Sequence, residues 1–128
     1  MPMELEIEHF AMNVPDPVGM ARWYVEHLHM RVVRGMDRPP YTHFLADSAE
    51  DVMLEIYRND AAPVPDYAAR PPLVMHLAFT VSDPAAVRQR LIAAGATFVE
   101  DVHLPDGSYL VTLRDPWHLP IQFCRRAW

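Results

Sequence analysis

Apolar and polar positions alternate with period two along residues 5–14, a stretch of β-compatible residues that predicts a strand. Asp16-Pro17 comes next. An aspartate that can cap a helix, followed by a proline at the first helical position where no amide donor is needed, predicts a helix start. That helix is expected to run to Leu28, with Met20, Tyr24 and Leu28 aligned at i, i+4 along one face. Residues 30–34, 41–47 and 52–58 read as three further strands. The same order then recurs. Residues 73–82 read as a strand, and Asp83-Pro84 repeats the capping logic at the start of a helix running to Ala94 and closed by Gly95. Strands are expected over 97–102, 108–114 and 119–125.

The recurrence is also one of residue identity. Residues 9–17, His-Phe-Ala-Met-Asn-Val-Pro-Asp-Pro, overlay residues 76–84, His-Leu-Ala-Phe-Thr-Val-Ser-Asp-Pro, at an offset of 67. Five of the nine positions are identical, and two more are apolar in both copies. The same offset lays Val52-Met53-Leu54-Glu55-Ile56-Tyr57-Arg58 over Leu119-Pro120-Ile121-Gln122-Phe123-Cys124-Arg125. Two separated segments that keep one offset indicate a duplicated unit. The chain is expected to form a single domain over residues 1–128, made of repeat units 4–59 and 73–126. Residues 60–72, which carry Pro63, Pro65, Pro71 and Pro72, would serve as an extended connector. A unit of this size is marginal alone, so the halves should pack together or pair with a second chain.

Composition narrows the function classes. The 128 residues are 51% hydrophobic and 22% charged, as in a globular domain, and the formal net charge is −6. All 11 basic residues are arginine, none forming a basic cluster, so nucleic acid and anionic membranes are poor partners. The acidic N-terminal stretch is unlike a signal peptide, no apolar run is long enough to span a membrane, and Cys124 is the lone cysteine. A cytoplasmic protein acting on a small molecule or another protein is expected.

Four positions tied by the offset carry candidate chemistry. His9 and His76 correspond on the first strand of each half, and Glu55 and Gln122 correspond on the last. Two imidazoles, a carboxylate and an amide oxygen suit a divalent transition metal. Strand parity puts small Ala11 and Ala78 beside the histidines, leaving space for an ion and a substrate. Glu55 stands between Leu54 and Ile56, where an uncompensated carboxylate would be costly. Gln122 is the weakest member; it either coordinates or holds a bound water. His43, Tyr57, Tyr109 and Cys124 lie on strands where packing is the default role, and His27, His29 and His103 match no ligand spacing. Trp23-Tyr24 should pack on a sheet, and Asp115-Pro116-Trp117-His118 reads as a turn.

These features together resemble the vicinal oxygen chelate superfamily, which includes glyoxalase I, extradiol dioxygenases, methylmalonyl-CoA epimerase and the fosfomycin and bleomycin resistance proteins. The carriers are Glu8-His9-Phe10 leading to Asp16-Pro17, Leu54-Glu55-Ile56, His76-Leu77-Ala78-Phe79, and Arg114-Asp115-Pro116-Trp117 with Ile121-Gln122-Phe123. The resemblance implies an α+β fold of two tandem βαβββ units whose curved mixed sheets form a metal-binding cup. It implies that His9, Glu55, His76 and Gln122 line that cup, and that the protein is a homodimer. The implied cofactor is one divalent ion, Zn, Ni, Mn, Co or Fe(II), that binds two neighbouring substrate oxygens. Gln122 departs from glyoxalase I, which has a glutamate there, and the combination fits no named member.

Glu55 is the one carboxylate of the set and the candidate general base, which requires it to leave the ion when substrate binds. Two histidines and a carboxylate also suit ferrous iron and oxygen activation. The expected function is a metal-dependent lyase, isomerase or dioxygenase of a small substrate with vicinal oxygens. The alternative is a non-catalytic protein that binds a drug or antibiotic, for which His9, Glu55 and His76 are not needed.

Overall fold

The computed structural model describes residues 3–128, which fall into two compact units, one ending at Pro65 and the other beginning at Asp66. The first unit holds β1 (His9–Asn13), α1 (Pro17–Leu28), β2 (Arg31–Gly35), β3 (His43–Ala46) and β4 (Met53–Tyr57). Its sheet runs β1-β4-β3-β2, with β1 parallel to β4 and the other pairs antiparallel. The second unit repeats this with β5 (Leu77–Thr80), α2 (Pro84–Ala93), β6 (Thr97–His103), β7 (Tyr109–Arg114) and β8 (Pro120–Arg125), in the order β5-β8-β7-β6. Each unit is thus the expected βαβββ fold with a mixed sheet.

Both helices begin where the Asp-Pro pairs predict. The Asp16 carboxylate accepts from the Gly19 amide at 3.0 Å and that of Asp83 from the Ala86 amide at 3.1 Å. Each cap contributes about 1 kcal/mol by satisfying an amide that the helix cannot. Gly95, at φ +110, ends the second helix in a conformation that side chains rarely adopt. Helix α1 packs on β3 and β4, burying Met20 and Tyr24 with Leu45, Leu54 and Ile56. In the second unit Leu91 of α2 is buried along with Val111, Leu113, Ile121 and Phe123. These apolar residues alternate along their strands with the candidate site residues, so one face of each sheet holds the core and leaves the other for chemistry.

Three expectations are corrected. The first strand begins at His9 rather than residue 5, because its partner β4 begins at Met53; Leu5 and Ile7 precede the paired register and stay exposed. Strand β5 is likewise shorter than residues 73–82, since Leu77 pairs with Ile121 at the start of β8 and Pro71 starts a turn in which the Val74 amide bonds its carbonyl. His76 therefore stands one residue before the strand rather than on it. The Pro-rich stretch is not uniformly extended. Tyr67–Ala69 form a short 3₁₀ turn with Tyr67 buried, and the Arg114 guanidinium donates to the carbonyls of Tyr67 (2.9 Å) and Arg70 (2.8 Å).

Candidate metal centre

In the first unit, backbone register places Ala11 opposite Glu55 and Glu55 opposite Phe44. Residues opposite one another share a face, and His9 is two residues from Ala11, so His9, Ala11, Glu55 and Phe44 share the face away from the core. The His9 Nε2 lies 3.4 Å from the Glu55 Oε1, and its Nδ1 lies 2.8 Å from the Glu8 Oε1. The Phe44 ring meets the imidazole edge-on with centroids 5.9 Å apart. Ala11 adds only a methyl group beside Glu55, and the Glu55 side chain retains 17% of its exposure. It is shielded yet reachable.

The chemistry of the His9 pair follows from its hydrogen bonds. A carboxylate only accepts, so the Nδ1 that meets Glu8 carries a proton. In the neutral ring Nε2 then presents a lone pair, and it presents that lone pair to the Glu55 carboxylate. Two acceptors facing one another attract a cation or a proton between them. A histidine whose outer nitrogen donates to a carboxylate is also the usual arrangement behind a metal ligand.

In the second unit His76 is fixed in the same tautomer. Its Nδ1 lies 2.8 Å from the Pro72 carbonyl, which can only accept, so Nε2 of the neutral ring is the free donor atom. Gln122 lies opposite Ala78 on one side and Thr112 on the other, the counterpart of Glu55 between Ala11 and Phe44. Its Nε2 donates to the Thr112 Oγ1 at 3.2 Å, and its Oε1 accepts from the Cys124 thiol at 3.3 Å. Burial pushes the Cys124 thiol up from its ordinary pKa, keeping it protonated and able to donate.

The structure thus brings His9 and Glu55 together and holds His76 and Gln122 each on its own neighbours. Within either unit taken alone, no three His, Cys, Asp or Glu side chains converge among the described residues. His43 does not join the site: it pairs with Ile56, on the core side of the sheet, and its Nδ1 bonds the Tyr41 carbonyl at 2.7 Å. Tyr109 also alternates onto the core side, stacked on His103 with its hydroxyl donating to Asp101. Trp23 packs beside Tyr24 and His27, and the Asp115 turn forms as expected. Glu8 and Phe44 are the residues that sequence reasoning passed over. The only signal for Glu8 was its adjacency to His9, and nothing in the pattern marked Phe44.

The family model described as "Glyoxalase/Bleomycin resistance protein/Dioxygenase superfamily" matches residues 6–123. The crystal structure of SMU.1112c aligns with a TM-score of 0.73 at 30% identity, covering 94% of this chain and 98% of that one. A glyoxalase family protein from Enterococcus faecalis aligns with a TM-score of 0.70 at 28% identity, covering 94% and 97%. TnmS3, an antibiotic binding protein from Streptomyces sp. CB03234, shares the fold at a TM-score of 0.73 and 17% identity, covering 96% and 97%. No match was found among the curated proteins. Among the described residues no helix is long and apolar enough to cross a membrane.

Proposed function

We propose, because the chain belongs to the glyoxalase/bleomycin resistance protein/dioxygenase superfamily, that it is a metal-dependent enzyme of the lyase, isomerase or dioxygenase type acting on a small substrate with vicinal oxygens. His9, Glu55, His76 and Gln122 would hold one divalent ion, Zn, Ni, Mn, Co or Fe(II). The observation that carries this reading is the His9 Nε2 facing the Glu55 carboxylate at 3.4 Å while its Nδ1 is committed to Glu8. A divalent ion, when bound, supplies charge stabilisation to two neighbouring substrate oxygens.

The chain's own residues set the rest. Glu8 and the Pro72 carbonyl fix the tautomers of His9 and His76, so each offers Nε2 without rotating. With Nε2 of both histidines given to the ion, Glu55 is the member of the set left to take up a proton, on leaving the ion as substrate binds. Gln122 cannot, so a proton removed by Glu55 returns from Glu55, to the same face of the substrate. Inversion by two opposed bases is therefore outside the reach of this set. The reading carries with it a homodimer in a reducing compartment such as the cytoplasm, consistent with a lone buried Cys124.

One observation favours the non-catalytic alternative. Both ends of the Gln122 amide are already engaged, by Thr112 and Cys124. A protein that binds a drug or antibiotic without a metal would leave them so.

Long-range ¹H–¹⁵N spectra of the histidine rings, recorded while Zn²⁺ is added, separate the two. The metal reading predicts that Nε2 of His9 and His76 shift together and saturate at one equivalent, with both Nδ1 protons retained. Rings that are unmoved by Zn²⁺, with both nitrogens of His9 protonated between Glu8 and Glu55, would overturn it.

A further inference from the structure

The face of the first sheet that carries Glu55 extends past Phe44 to an arginine, and a bulge puts it there. Backbone pairing runs Arg31 with Ala46 and Val32 with Leu45, then skips Val33 and resumes with Arg34 opposite Phe44. In an unbroken strand Val33 would face Phe44 and Arg34 would turn to the core side. The extra residue turns Arg34 over. One register line therefore crosses the sheet as Ala11, Glu55, Phe44, Arg34. The second unit keeps the bulge, between Phe98 and Glu100, and its equivalent line reads Ala78, Gln122, Thr112, Glu100. The backbone device is common to both units; the cation belongs to the first alone.

Arg34, Asp37, Arg38, Thr42 and Phe44 line a cavity of about 400 Å³ within this unit. Arg31, on the same face, is engaged: its Nη2 lies 2.7 Å from the Glu50 Oε1. Among the described residues no carboxylate lies within ion-pair distance of Arg34 or Arg38. Two guanidinium groups against Asp37 leave this lining with a net positive charge of one in an otherwise acidic chain. Neighbouring strands stand roughly 4.8 Å apart, so the backbones of Arg34 and Glu55, two strands apart, are separated by about 10 Å. Phe44 stands between them on β3, lines the cavity and meets the His9 ring edge-on.

We infer that this cavity is the subsite for a carboxylate of the substrate, held by the planar fork of Arg34 with Arg38 beside it. Phe44 is the apolar floor between that carboxylate and the pair of oxygens at the His9 end. The substrate class is a small monoanionic acid in which an aromatic ring or short hydrocarbon chain separates the carboxylate from two adjacent oxygens. A single net positive charge with Asp37 at its side suits a monoanion better than a phosphate dianion. The oxygen-pair end of this assignment rests on the metal reading above; the carboxylate end stands on the first unit's residues alone.

Calorimetric titration of the Zn²⁺-loaded protein with 3,4-dihydroxybenzoate and with 3,4-dihydroxybenzamide tests it. The acid should bind about tenfold tighter than the amide, the gain expected of one charge-assisted pair at a part-exposed site. Arg34→Gln should close that gap by weakening the acid alone, and Arg34→Lys should restore part of it. Because Arg34 is exposed, the variants should fold, and Arg38→Gln provides an independent loss of charge in the same cavity. Equal affinities in the wild type, or a gap that survives Arg34→Gln, would overturn the subsite. On the metal-free protein, benzoate should shift the backbone amide signals of Arg34 and Arg38 where benzamide does not. Phenyl phosphate binding there more tightly than benzoate would overturn the carboxylate assignment. Benzoate binding at Arg34 in a protein that takes up no metal would uphold the subsite while the metal reading fails; metal uptake with no preference for the acid would do the reverse.

Discussion

Glu55→Gln is expected to lower the affinity for a divalent ion by at least about 100-fold, since losing even a residue behind a metal ligand costs roughly 10–100-fold. The exchange keeps the volume of the side chain and removes its charge. It also replaces an acceptor facing His9 Nε2 with an amide that can donate to it, which converts the cation-attracting pair into a satisfied hydrogen bond. The fold should persist, because Leu54 and Ile56 on either side hold β4 in the core through their own burial. Stability should change by less than about 1 kcal/mol, as for substitutions that open no cavity and strand no buried charge. Titration with Zn²⁺ and Mn²⁺ checks the affinity and urea denaturation checks the fold. Unchanged ion affinity would remove Glu55 from the site.

The second large effect is on stability. Asp115→Ala should cost about 3 kcal/mol, because it leaves two backbone amides without their acceptor, that of Leu119 buried and that of Trp117 part-buried. Asp115 is 1% exposed, and its Oδ1 accepts from the amides of Trp117 (2.8 Å) and Leu119 (3.0 Å). Its backbone completes the turn, donating to the Leu119 carbonyl at 2.9 Å and accepting from the His118 amide at 2.9 Å. His118 sits there at φ +73, a conformation that needs such fixing. The turn delivers Pro120 to the start of β8 and so sets the register of Gln122 against Ala78 and Thr112. Asp115→Asn keeps one acceptor oxygen and should lose less than half as much. Urea denaturation of the three proteins gives the comparison; equal losses for Ala and Asn would mean that the carboxylate's charge, not its acceptor role, secures the turn.

What the sequence made legible was whatever depended on local chemistry or on the copy. Asp16-Pro17 and Asp83-Pro84 specify helix starts by themselves, and the offset of 67 aligns His9 with His76 and Glu55 with Gln122 without reference to any structure. Features that depend on a distant partner were not legible. The ends of β1 and β5 are set by where β4 and β8 begin, and the 3₁₀ turn at Tyr67 by an arginine far along the chain. Bulges are invisible to periodicity. Val32-Val33-Arg34 reads as an ordinary strand, yet one unpaired residue decides that Arg34 faces the same side as Glu55. The copy itself misleads here. The offset matches Phe44 to Val111, while the residue that stands opposite Gln122 is Thr112.

The central claim is that His9, Glu55, His76 and Gln122 hold a metal. Elemental analysis of the protein, purified without added metal and then equilibrated separately with Zn, Ni, Mn, Co and Fe(II), tests it most directly. The predicted result is about one ion per chain for at least one of these metals, as for a catalytic ligand set that keeps positions open to substrate, and its loss in His9→Ala and in Glu55→Gln. A wild-type protein that carries none of them and takes up none on equilibration would contradict the account.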